Sequence, residues 1–459
     1  MPAVVTQQFL NNLIKDTKEQ LNAGIYIGLG RSETWGVGET PTTPTSDLEA
    51  GREARAACQH VKIVTGVSAA VTRSDYVANT IYPAYDDDNQ TELPYVMNTN
   101  YEVFLCLQQG VDNTGAIIPS DIEPTVAQLT LSDPVVAGEN VLVTADTNGS
   151  PGYTWRYLFT LSQVAINRFL TLNYMPVTTF IVDPQDGDVQ EQQWQIQQSA
   201  TEGQVLNVQV DDGGAGYTAP TLTILGNGTG ATATANVIGG VIRSVEVNTN
   251  GQDYDFASLK IDDTGTPTED ATLRVVLGPN AGIDADPTQT LRANSLIVTT
   301  DFENTEFDTL FVENDFRQVI LLQDPKAFGS SSAFTANTSK ANRGLNVASV
   351  VNAILEDNVI TGQTSQAQAI VDHFDAVNNV LYYHQSKETG YGTFLRGEIV
   401  EQVGGAQITL TGASSTTVVA DSTDPGIDVF SGDLLYIDNV SPIQRDPNQT
   451  EDIKIVITF

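Results

Sequence analysis

Short runs of β-branched and aromatic residues, separated by Pro, Gly, Asn and Asp, follow one another from residue 61 almost to the C-terminus. Examples are 61–64, 101–107, 141–144 and 156–161. Runs of this length between turn residues are typical of strands. Helical spacing of apolar residues is confined to the first part of the chain, after a candidate N-cap at Thr6 and before a candidate C-cap at Gly24, and is weaker over 48–60. The sequence therefore predicts a mostly β, β-sandwich-rich fold with a few helices.

The charge balance excludes several function classes. The 459 residues include 21 Lys and Arg against 57 Asp and Glu, which gives a net charge of −36. Such a surface repels nucleic-acid phosphates and anionic membrane faces, so neither is an expected partner. With 16 Phe, 15 Tyr and 3 Trp the chain has the aromatic content of a globular protein rather than of an acidic disordered tail. We also expect neither a signal peptide nor a membrane span, because no basic segment precedes an apolar run and no long apolar stretch occurs.

One block of the sequence is duplicated. Eight residues recur at a constant offset of 37: Gly203, Val205, Val208, Val210, Gly214, Tyr217, Leu222 and Ile224 reappear as Gly240, Ile242, Val245, Val247, Gly251, Tyr254, Leu259 and Ile261. Alternating Val pairs predict strands, and the Gly before each Tyr suits a turn that needs positive φ. Between the copies, 231–236 reads as a strand of small residues. Two such copies can close one small β domain on each other.

A second block, over 331–429, differs in composition from its surroundings. Its first part, 330–340, is rich in Ser, Ala and Thr and reads as a loop, and Asn378-Asn379 predicts a hairpin. Strands are expected at 347–354, 368–374, 380–383, 407–410 and 417–420, and in the tail at 434–437 and 453–459. The predicted organisation is a core region 1–202, an inserted duplicated β domain 203–285, a return to the core 286–330, a second inserted domain 331–429, and C-terminal strands 430–459 that complete the core.

Motifs for cofactors and metals are incomplete. Gly28-Leu29-Gly30 begins like a dinucleotide fingerprint, but Glu33 replaces the third Gly, so a tight turn beside a strand is favoured. The sequence Gly213-Gly214-Ala215-Gly216-Tyr217-Thr218 lacks the Asp of a calcium-binding repeat and indicates a turn. Asp86-Asp87-Asp88-Asn89 lacks the rest of an EF-hand loop and reads as a solvated acidic turn. We therefore expect no cofactor and no metal.

Catalytic side chains do not form a recognisable pattern either. His60, His373 and His384 have no zinc-site spacing, although His373 and His384 lie on predicted neighbouring strands; structural imidazoles are favoured. Cys58 and Cys106 are too few for a disulfide framework and read as buried, reduced thiols. No Gly-x-Ser-x-Gly elbow occurs, and nothing singles out a carboxylate pair.

Islands of sequence occur in an order that resembles one protein family. They are Gly30-Arg31-Ser32-Glu33-Thr34-Trp35, Arg73-Ser74-Asp75-Tyr76 with Tyr82-Pro83, Gly152-Tyr153-Thr154-Trp155-Arg156-Tyr157-Leu158-Phe159 with Ile166-Asn167-Arg168, Phe316-Arg317-Gln318-Val319 with Asp324-Pro325, and an ending from Gly432-Asp433-Leu434-Leu435-Tyr436 to Phe459. Together they resemble the baseplate wedge proteins of T4-type phages, the gene product eight family. The islands cover roughly 1–200, 286–329 and 430–459, and the two blocks between them look like additions.

The resemblance implies a structural, non-enzymatic subunit of a contractile-tail baseplate. It implies a homodimer in each wedge that contacts other wedge proteins, a place in the virion after synthesis in the host cytoplasm, and nested β domains in which both chain ends share one core. The family pattern offers no catalytic, cofactor or metal residues to transfer. Its signature residues here, structural or at interfaces, are Arg31, Trp35, Tyr153, Trp155, Arg168, Arg317 and Phe459.

The residues themselves allow two interpretations of these positions. Trp155, Tyr157 and Phe159 alternate along one strand and are expected in a core, with interface anchoring as the alternative. Arg31 and Arg168 are candidates for a buried or interfacial carboxylate partner. A carbohydrate- or receptor-binding tail protein is the rival function, in which Tyr217 and Tyr254 of the duplicated block would stack on sugars.

Overall fold

A computed structural model describes residues 6–21, 24–88, 92–112, 114–145, 151–185, 187–279, 281–302, 315–444 and 450–459. Strands make up 44% and helices 11%, which confirms the predicted β-rich fold. The helices are α1 (Gln7–Leu21), α2 (Leu48–Ala56), α3 (Gln163–Phe169), α4 (Val189–Gln198) and α5 (Pro287–Thr290), with a 3-10 turn at Val126–Gln128. Asn89, in the predicted acidic turn, and residues 1–5 lie outside the described residues.

The strands of the first half of the chain are β1 (Ile25–Gly30), β2 (Cys58–Ile63), β3 (Gly66–Thr72), β4 (Tyr95–Met97), β5 (Glu102–Gln108), β6 (Val141–Ala145), β7 (Pro151–Thr160), β8 (Tyr174–Val177), β9 (Val205–Asp212), β10 (Thr221–Gly226), β11 (Thr229–Ile238), β12 (Val241–Gln252), β13 (Ala257–Asp262) and β14 (Thr272–Leu277). Those of the second half are β15 (Ser295–Phe302), β16 (Asp315–Gln323), β17 (Lys326–Ala327), β18 (Thr338–Lys340), β19 (Arg343–Val351), β20 (Val359–Gly362), β21 (Gln368–Asp375), β22 (Val380–His384), β23 (Ile399–Gln402), β24 (Gln407–Leu410), β25 (Ser422–Thr423), β26 (Ile427–Asp428), β27 (Asp433–Gln444) and β28 (Glu451–Thr458).

The chain forms two compact units. Unit 1 consists of Met1–Asp16, Ser68–Ile297 and Val456–Phe459, and unit 2 of Thr17–Val67 and Val298–Ile455. Both ends of the chain thus belong to unit 1. The block 203–285 lies within unit 1 and the block 331–429 within unit 2, whereas the region 1–202 contributes to both units.

Unit 1 is built around aromatic side chains of β7. This strand lies in a four-stranded sheet of order β4-β5-β7-β6. Tyr153, Trp155 and Tyr157 share a core cluster with Phe104 of β5 and Ile196 of α4, and the three β7 rings are at most 1% exposed. On the opposite face of β7, Arg156 and Leu158 are buried as well, so both faces of the strand are covered there. Burial of rings this large makes β7 the centre of this core.

The duplicated block folds by exchange of strands between its two copies. The first copy supplies β9, β10 and β11, and the second supplies β12, β13 and β14. Every strand pairing of the block joins one copy to the other: β9 with β14, β10 with β13 and β11 with β12. In the β10–β13 pair, Leu222 faces Ile261 and Ile224 faces Leu259. Since Leu222 corresponds to Leu259 and Ile224 to Ile261 in the repeat, the two copies pair in a two-fold arrangement. The block has two core clusters, and each contains residues of both copies: Val208 and Tyr217 with Ile242 and Val245 in one, and Val205 with Tyr254 and Val275 in the other.

Unit 2 contains two larger sheets. The first has the order β18-β2-β1-β16-β27 and buries Tyr26, Val61 and Leu322 in one cluster. The second has seven strands in the order β22-β21-β20-β23-β24-β19-β25, with a core that includes Ile360 and Val371. The predicted hairpin at Asn378-Asn379 joins β21 to β22, and Asn379 takes the positive φ of 55° that such a turn needs.

Several local predictions require correction. Gly28 and Gly30 do not form a turn but lie inside β1, where a Cβ would approach the Ile320 side chain to 2.7 Å and the Ala57 carbonyl oxygen to 2.2 Å. The helical segment 48–60 ends at residue 56, after which β2 begins at Cys58. Residues 417–420 form no strand and contribute only the bridge of Val419 to Leu395. In each case pairing with distant residues overrides the local pattern.

The ends of the first helix agree with the sequence. The backbone N–H of Phe9 donates to Oγ1 of Thr6 at 3.3 Å, which makes Thr6 the N-cap, and Gly24 has the left-handed φ of 68°. No helix in the described part of the chain is long and apolar enough to cross a membrane.

Candidate functional site

A cavity of about 640 Å³ in unit 2 is lined by Arg31, Trp35 and His384, three residues that the sequence named as candidates. Its wall is formed by the loop after β1, by helix α2 and by the end of β22. The charged and aromatic side chains that line it are Arg31, Glu33, Trp35, Glu53, His384, Lys387 and Glu388. Two family-signature residues, Arg31 and Trp35, therefore face one space together with a histidine from the second inserted block.

Arg31 is held by backbone geometry at the end of β1. Its φ is 57°, the left-handed region that a non-glycine residue rarely adopts. The guanidinium carbon lies 4.1 Å from the ring centroid of Trp35, a cation–π stack. The indole N–H of Trp35 donates to the Val440 carbonyl at 2.9 Å, so the ring beneath Arg31 is itself fixed.

Arg317 anchors the same loop from β16. Its guanidinium pairs with Glu39 at 3.0 Å and with Asp315 at 2.7 Å, and it also donates to the Ser32 carbonyl. The Arg317 side chain is only 5% exposed. A guanidinium with two carboxylates and a carbonyl has most of its donors satisfied, so Arg317 is a structural clamp on the loop.

His384 lies between two carboxylates at the inner end of the cavity. Its Nδ1 is 2.6 Å from Oδ1 of Asp372, and its Nε2 is 2.7 Å from Oε1 of Glu33. Asp372 is fully buried and also accepts hydrogen bonds from Gln59 at 3.1 Å and Asn342 at 2.8 Å. Both nitrogens of the ring face a carboxylate oxygen, so both carry protons and the ring is a cation.

Asp372, His384 and Glu33 form a row of three charges, and these charges shift the pKa values of His384 and Glu33. Burial acts to lower the pKa of His384, but the charge and hydrogen bond of Asp372, with those of Glu33, raise it to about 10. Burial acts to raise the pKa of Glu33, but the hydrogen bond and charge of His384, with a smaller contribution from Arg31, lower it to about 2. At neutral pH the row is therefore carboxylate, imidazolium, carboxylate.

This arrangement is unsuited to acid–base catalysis near neutral pH. A general base needs a pKa near the working pH and a free nitrogen, and His384 has neither. Within the described residues, no group of three or more His, Cys, Asp and Glu side chains is arranged to hold a metal ion. The row acts instead as a buried electrostatic link between the loop after β1 and the seven-stranded sheet.

The other two histidines occupy separate places. His373 does not meet His384, because β21 and β22 pair with Tyr382 opposite His373, and its Nδ1 instead lies 2.9 Å from Glu356. His60 is buried, with Nε2 2.9 Å from the Thr338 hydroxyl. All three are thus structural imidazoles, as the sequence analysis favoured.

The acidic turn in unit 1 is not simply solvated, which corrects that prediction. Arg274 pairs with Asp86 at 2.6 Å and with Asp87 at 3.1 Å. The Asp86 side chain is 16% exposed. These carboxylates therefore tie the turn to β14 of the duplicated block.

Cys58 and Cys106 are buried free thiols, as expected, and burial raises the pKa of both far above its usual range.

Signature residues in unit 1 divide into buried and exposed positions. Tyr153 and Trp155 are core residues with their rings stacked at 5.5 Å, and the Tyr153 hydroxyl donates to the Ile118 carbonyl at 2.9 Å. Arg168 is exposed at the end of α3, and no ion pair of its side chain occurs among the described residues. Phe459 is 41% exposed, with its backbone N–H bonded to the Asn294 carbonyl.

The buried ion pair of unit 1 involves an arginine that the sequence analysis did not select. Arg156 binds Asp284 through Nε at 2.9 Å and Nη2 at 2.6 Å, and both side chains are at most 3% exposed. Asn140 also donates to Asp284, at 3.0 Å. A signal for this pair existed: a charge between two aromatic residues of a strand that is buried on both faces must be paired.

The tyrosines of the duplicated block are buried equally, each 6% exposed. The Tyr217 hydroxyl accepts the Ala271 N–H at 2.8 Å. Gly214 and Gly251, which precede them, have φ of 58° and 64° as predicted. Stacking on a sugar requires an exposed ring face, so these two rings do not form a sugar platform.

Comparison with known proteins adds no relative: no protein-family model matches the chain, and a search of curated proteins finds no match. The resemblance to baseplate wedge proteins thus stays a prediction that rests on the sequence islands.

Proposed function

We propose that the chain is a structural, non-enzymatic subunit of a contractile-tail baseplate wedge, which links neighbouring wedge proteins during assembly and rearrangement. It works through shape-complementary interfaces rather than through chemistry. The proposal also includes a homodimer and a place in the phage virion. The large negative charge keeps such a subunit soluble before assembly and leaves the joining to its uncharged surfaces.

The observation that supports this proposal is the role of the signature residues. Arg31, Trp35 and Arg317 fix one loop of unit 2, and Tyr153 and Trp155 fill the core of unit 1. Four of the seven signature residues, Trp35, Arg317, Tyr153 and Trp155, thus serve architecture. His384, the most perturbed imidazole among the described residues, is held as a cation between two carboxylates.

Assembly measurements test the proposal. Light scattering during size-exclusion chromatography should give about twice the monomer mass of 49.2 kDa. Native mass spectrometry of the chain mixed with the other tail proteins of the same phage should then detect defined complexes. An unrelated protein of similar net charge is the control for non-specific association. A persistent monomer that joins none of these proteins would contradict the proposal.

The duplicated block has its own test. Its strands β9–β14 pair only with one another among the described strands, so deletion of 203–278, which keeps Asp284 as the partner of Arg156, should leave the remaining sheets intact. If the block adds subunit contacts, the deletion variant should dimerise but lose part of its wedge complexes. Normal complexes with unchanged contacts would exclude an assembly role for the block.

A further inference from the structure

Arg31 is the one lining cation of the unit 2 cavity that the described contacts leave without an ion pair or hydrogen bond to its side chain. Its buried Nε has no hydrogen-bond partner. No carboxylate of the described residues lies within ion-pair distance, 4.0 Å, of its guanidinium. Arg168 is also without an ion pair but is exposed, whereas Arg31 has a buried Nε.

Of the three carboxylates that line the cavity, Glu33 and Glu53 already have other partners, and the exposed Glu388 lies beyond ion-pair distance of Arg31. Glu33 binds the His384 cation at 2.7 Å, and Glu53 accepts hydrogen bonds from the Lys387 backbone N–H and the Tyr391 hydroxyl, each at 3.0 Å. Lys387, which also lines the cavity, is paired with Glu49. The terminal donors of Arg31 are thus left for a group that enters from outside.

The backbone at Arg31 is left-handed, as it is at twelve other non-glycine positions of the described residues. A left-handed non-glycine residue costs about 1–2 kcal/mol, and the φ of 57° here carries that cost. Glycine would remove the strain. Glycine would not supply the guanidinium, which lies 4.1 Å from the ring centroid of Trp35 and lines the cavity.

We propose that Arg31, held on Trp35, is the receptor for a carboxylate group that enters this cavity. The planar guanidinium matches a carboxylate through two parallel N–H···O bonds, and the indole beneath it fixes its orientation. A volume of about 640 Å³ admits a small organic acid, or the carboxylate-bearing end or side chain of a peptide. This site goes beyond the proposed baseplate role and does not depend on it.

The experiment uses the full chain labelled with ¹⁵N. The chain has three tryptophans, Trp35, Trp155 and Trp194, so its indole N–H region contains three signals, and Trp35→Phe assigns the relevant one. Three carboxylate probes are titrated: succinate, a Gly-Ala peptide with a free C-terminus, and an amidated peptide with one Glu. The matched control is the amidated Gly-Ala peptide, which has no carboxylate.

A carboxylate probe should shift the Trp35 signal in a saturable way, with a dissociation constant on the order of 1 mM, while the control peptide should not. Arg31→Gly and Arg31→Lys should each weaken binding on the order of tenfold, because neither keeps the planar fork. Tighter binding of a peptide than of succinate assigns a partner protein as the source, and the reverse assigns a small organic acid.

Two results would overturn the site. One is the absence of any saturable Trp35 shift with all three carboxylate probes. The other is equal binding by wild type and Arg31→Gly, provided that unchanged Trp155 and Trp194 signals show that the variant is folded. Since glycine suits the left-handed backbone, Arg31→Gly is expected to fold at least as well as wild type.

Discussion

Nε2 of His384 lies 2.7 Å from Oε1 of Glu33, although 351 positions separate the two residues in the chain. The contact joins the loop after β1 to the last residue of β22. Because Asp372 holds the other ring nitrogen at 2.6 Å, the imidazolium is shared between two carboxylates. Gln59 and Asn342 donate hydrogen bonds to the two carboxylate oxygens of Asp372.

His384→Asn should destabilise unit 2 by about 3–5 kcal/mol at pH 7, because it leaves two carboxylates without their cation. The pKa of His384 is raised to about 10, above the unfolded value of about 6.5. Its contribution to stability is therefore complete below about pH 6.5 and is lost as pH rises toward 10. Urea unfolding at several pH values should show wild type and variant converge at high pH. His373→Asn, at a partly exposed ring, is the control, and an equal loss there would contradict the prediction.

Glu33→Gln should affect stability at acidic pH. The pKa of Glu33 is lowered to about 2, below its unfolded value of about 4.3, so its contribution is present above about pH 4.3 and lost as pH falls toward 2. We expect a loss of about 2 kcal/mol at pH 7 and none below pH 2. Thermal unfolding between pH 2 and 7 measures this, with the exposed Glu388→Gln as control. A pH-independent difference would show that Glu33 acts by packing alone.

Arg156→Met should destabilise unit 1 by about 3–5 kcal/mol, since it leaves the buried carboxylate of Asp284 unpaired. The double variant Arg156→Met/Asp284→Asn should recover part of that loss, because the charge is removed while Asn140 keeps an acceptor. Arg168→Met, in the same sequence island but exposed, should change stability by less than about 0.5 kcal/mol. Denaturant unfolding compares the three variants. Equal effects at the two arginines would refute the assignment of Arg156 as the buried partner.

Gly251→Ala should disrupt the duplicated block. Gly251 has φ of 64°, and an added Cβ would lie 2.5 Å from the backbone nitrogen of Ala231 in the paired strand. Gly239 has nearly the same φ, 63°, with no atom within 4 Å of its Cβ position. Gly239→Ala should therefore cost about 1 kcal/mol from backbone strain alone, and Gly251→Ala about 3 kcal/mol or more. Hydrogen exchange of the block's amides measures the difference, and similar protection in both variants would contradict it.

Tyr217→Phe and Tyr254→Phe compare equivalent positions of the two repeats. Loss of the Tyr217 hydroxyl leaves the Ala271 N–H without its acceptor, so we expect a cost of about 1–2 kcal/mol. No hydrogen bond of the Tyr254 hydroxyl occurs among the described residues, and Tyr254→Phe should be nearly neutral. Thermal unfolding measures both. A larger loss of stability in Tyr254→Phe than in Tyr217→Phe would contradict the prediction.

Much of the fold was predictable because its signals are local. The β-rich class, the N-cap at Thr6, the hairpin at Asn379 and the left-handed glycines before Tyr217 and Tyr254 all depend on a few neighbouring residues. The errors occurred where distant residues decide the outcome. Gly28 and Gly30 lie in a strand where the Ile320 side chain and the Ala57 carbonyl leave no room for a Cβ atom. The local sequence pattern shows neither of these neighbours.

The site was less predictable than the fold. The resemblance indicates Arg31, Trp35 and Arg317. The contacts that fix their loop come from distant strands, because Trp35 donates to Val440 of β27 and Arg317 lies on β16. His384 was noted without its carboxylates, since Glu33 and Asp372 come from other segments. Arg156 was passed over in favour of Arg168, although only Arg156 has a buried partner.

The sequence by itself determined the strand-forming pattern, the acidic charge and the duplication, because strand periodicity, net charge and repeat spacing are properties of the chain. Only the tertiary structure decided which charges meet and which rings are covered. Pairing energies fall steeply with distance and rise with burial, and both quantities exist only after segments far apart in the chain have packed together. Hence the same acidic composition yields a paired Glu33, a buried Asp284 and an Arg31 left open to the cavity.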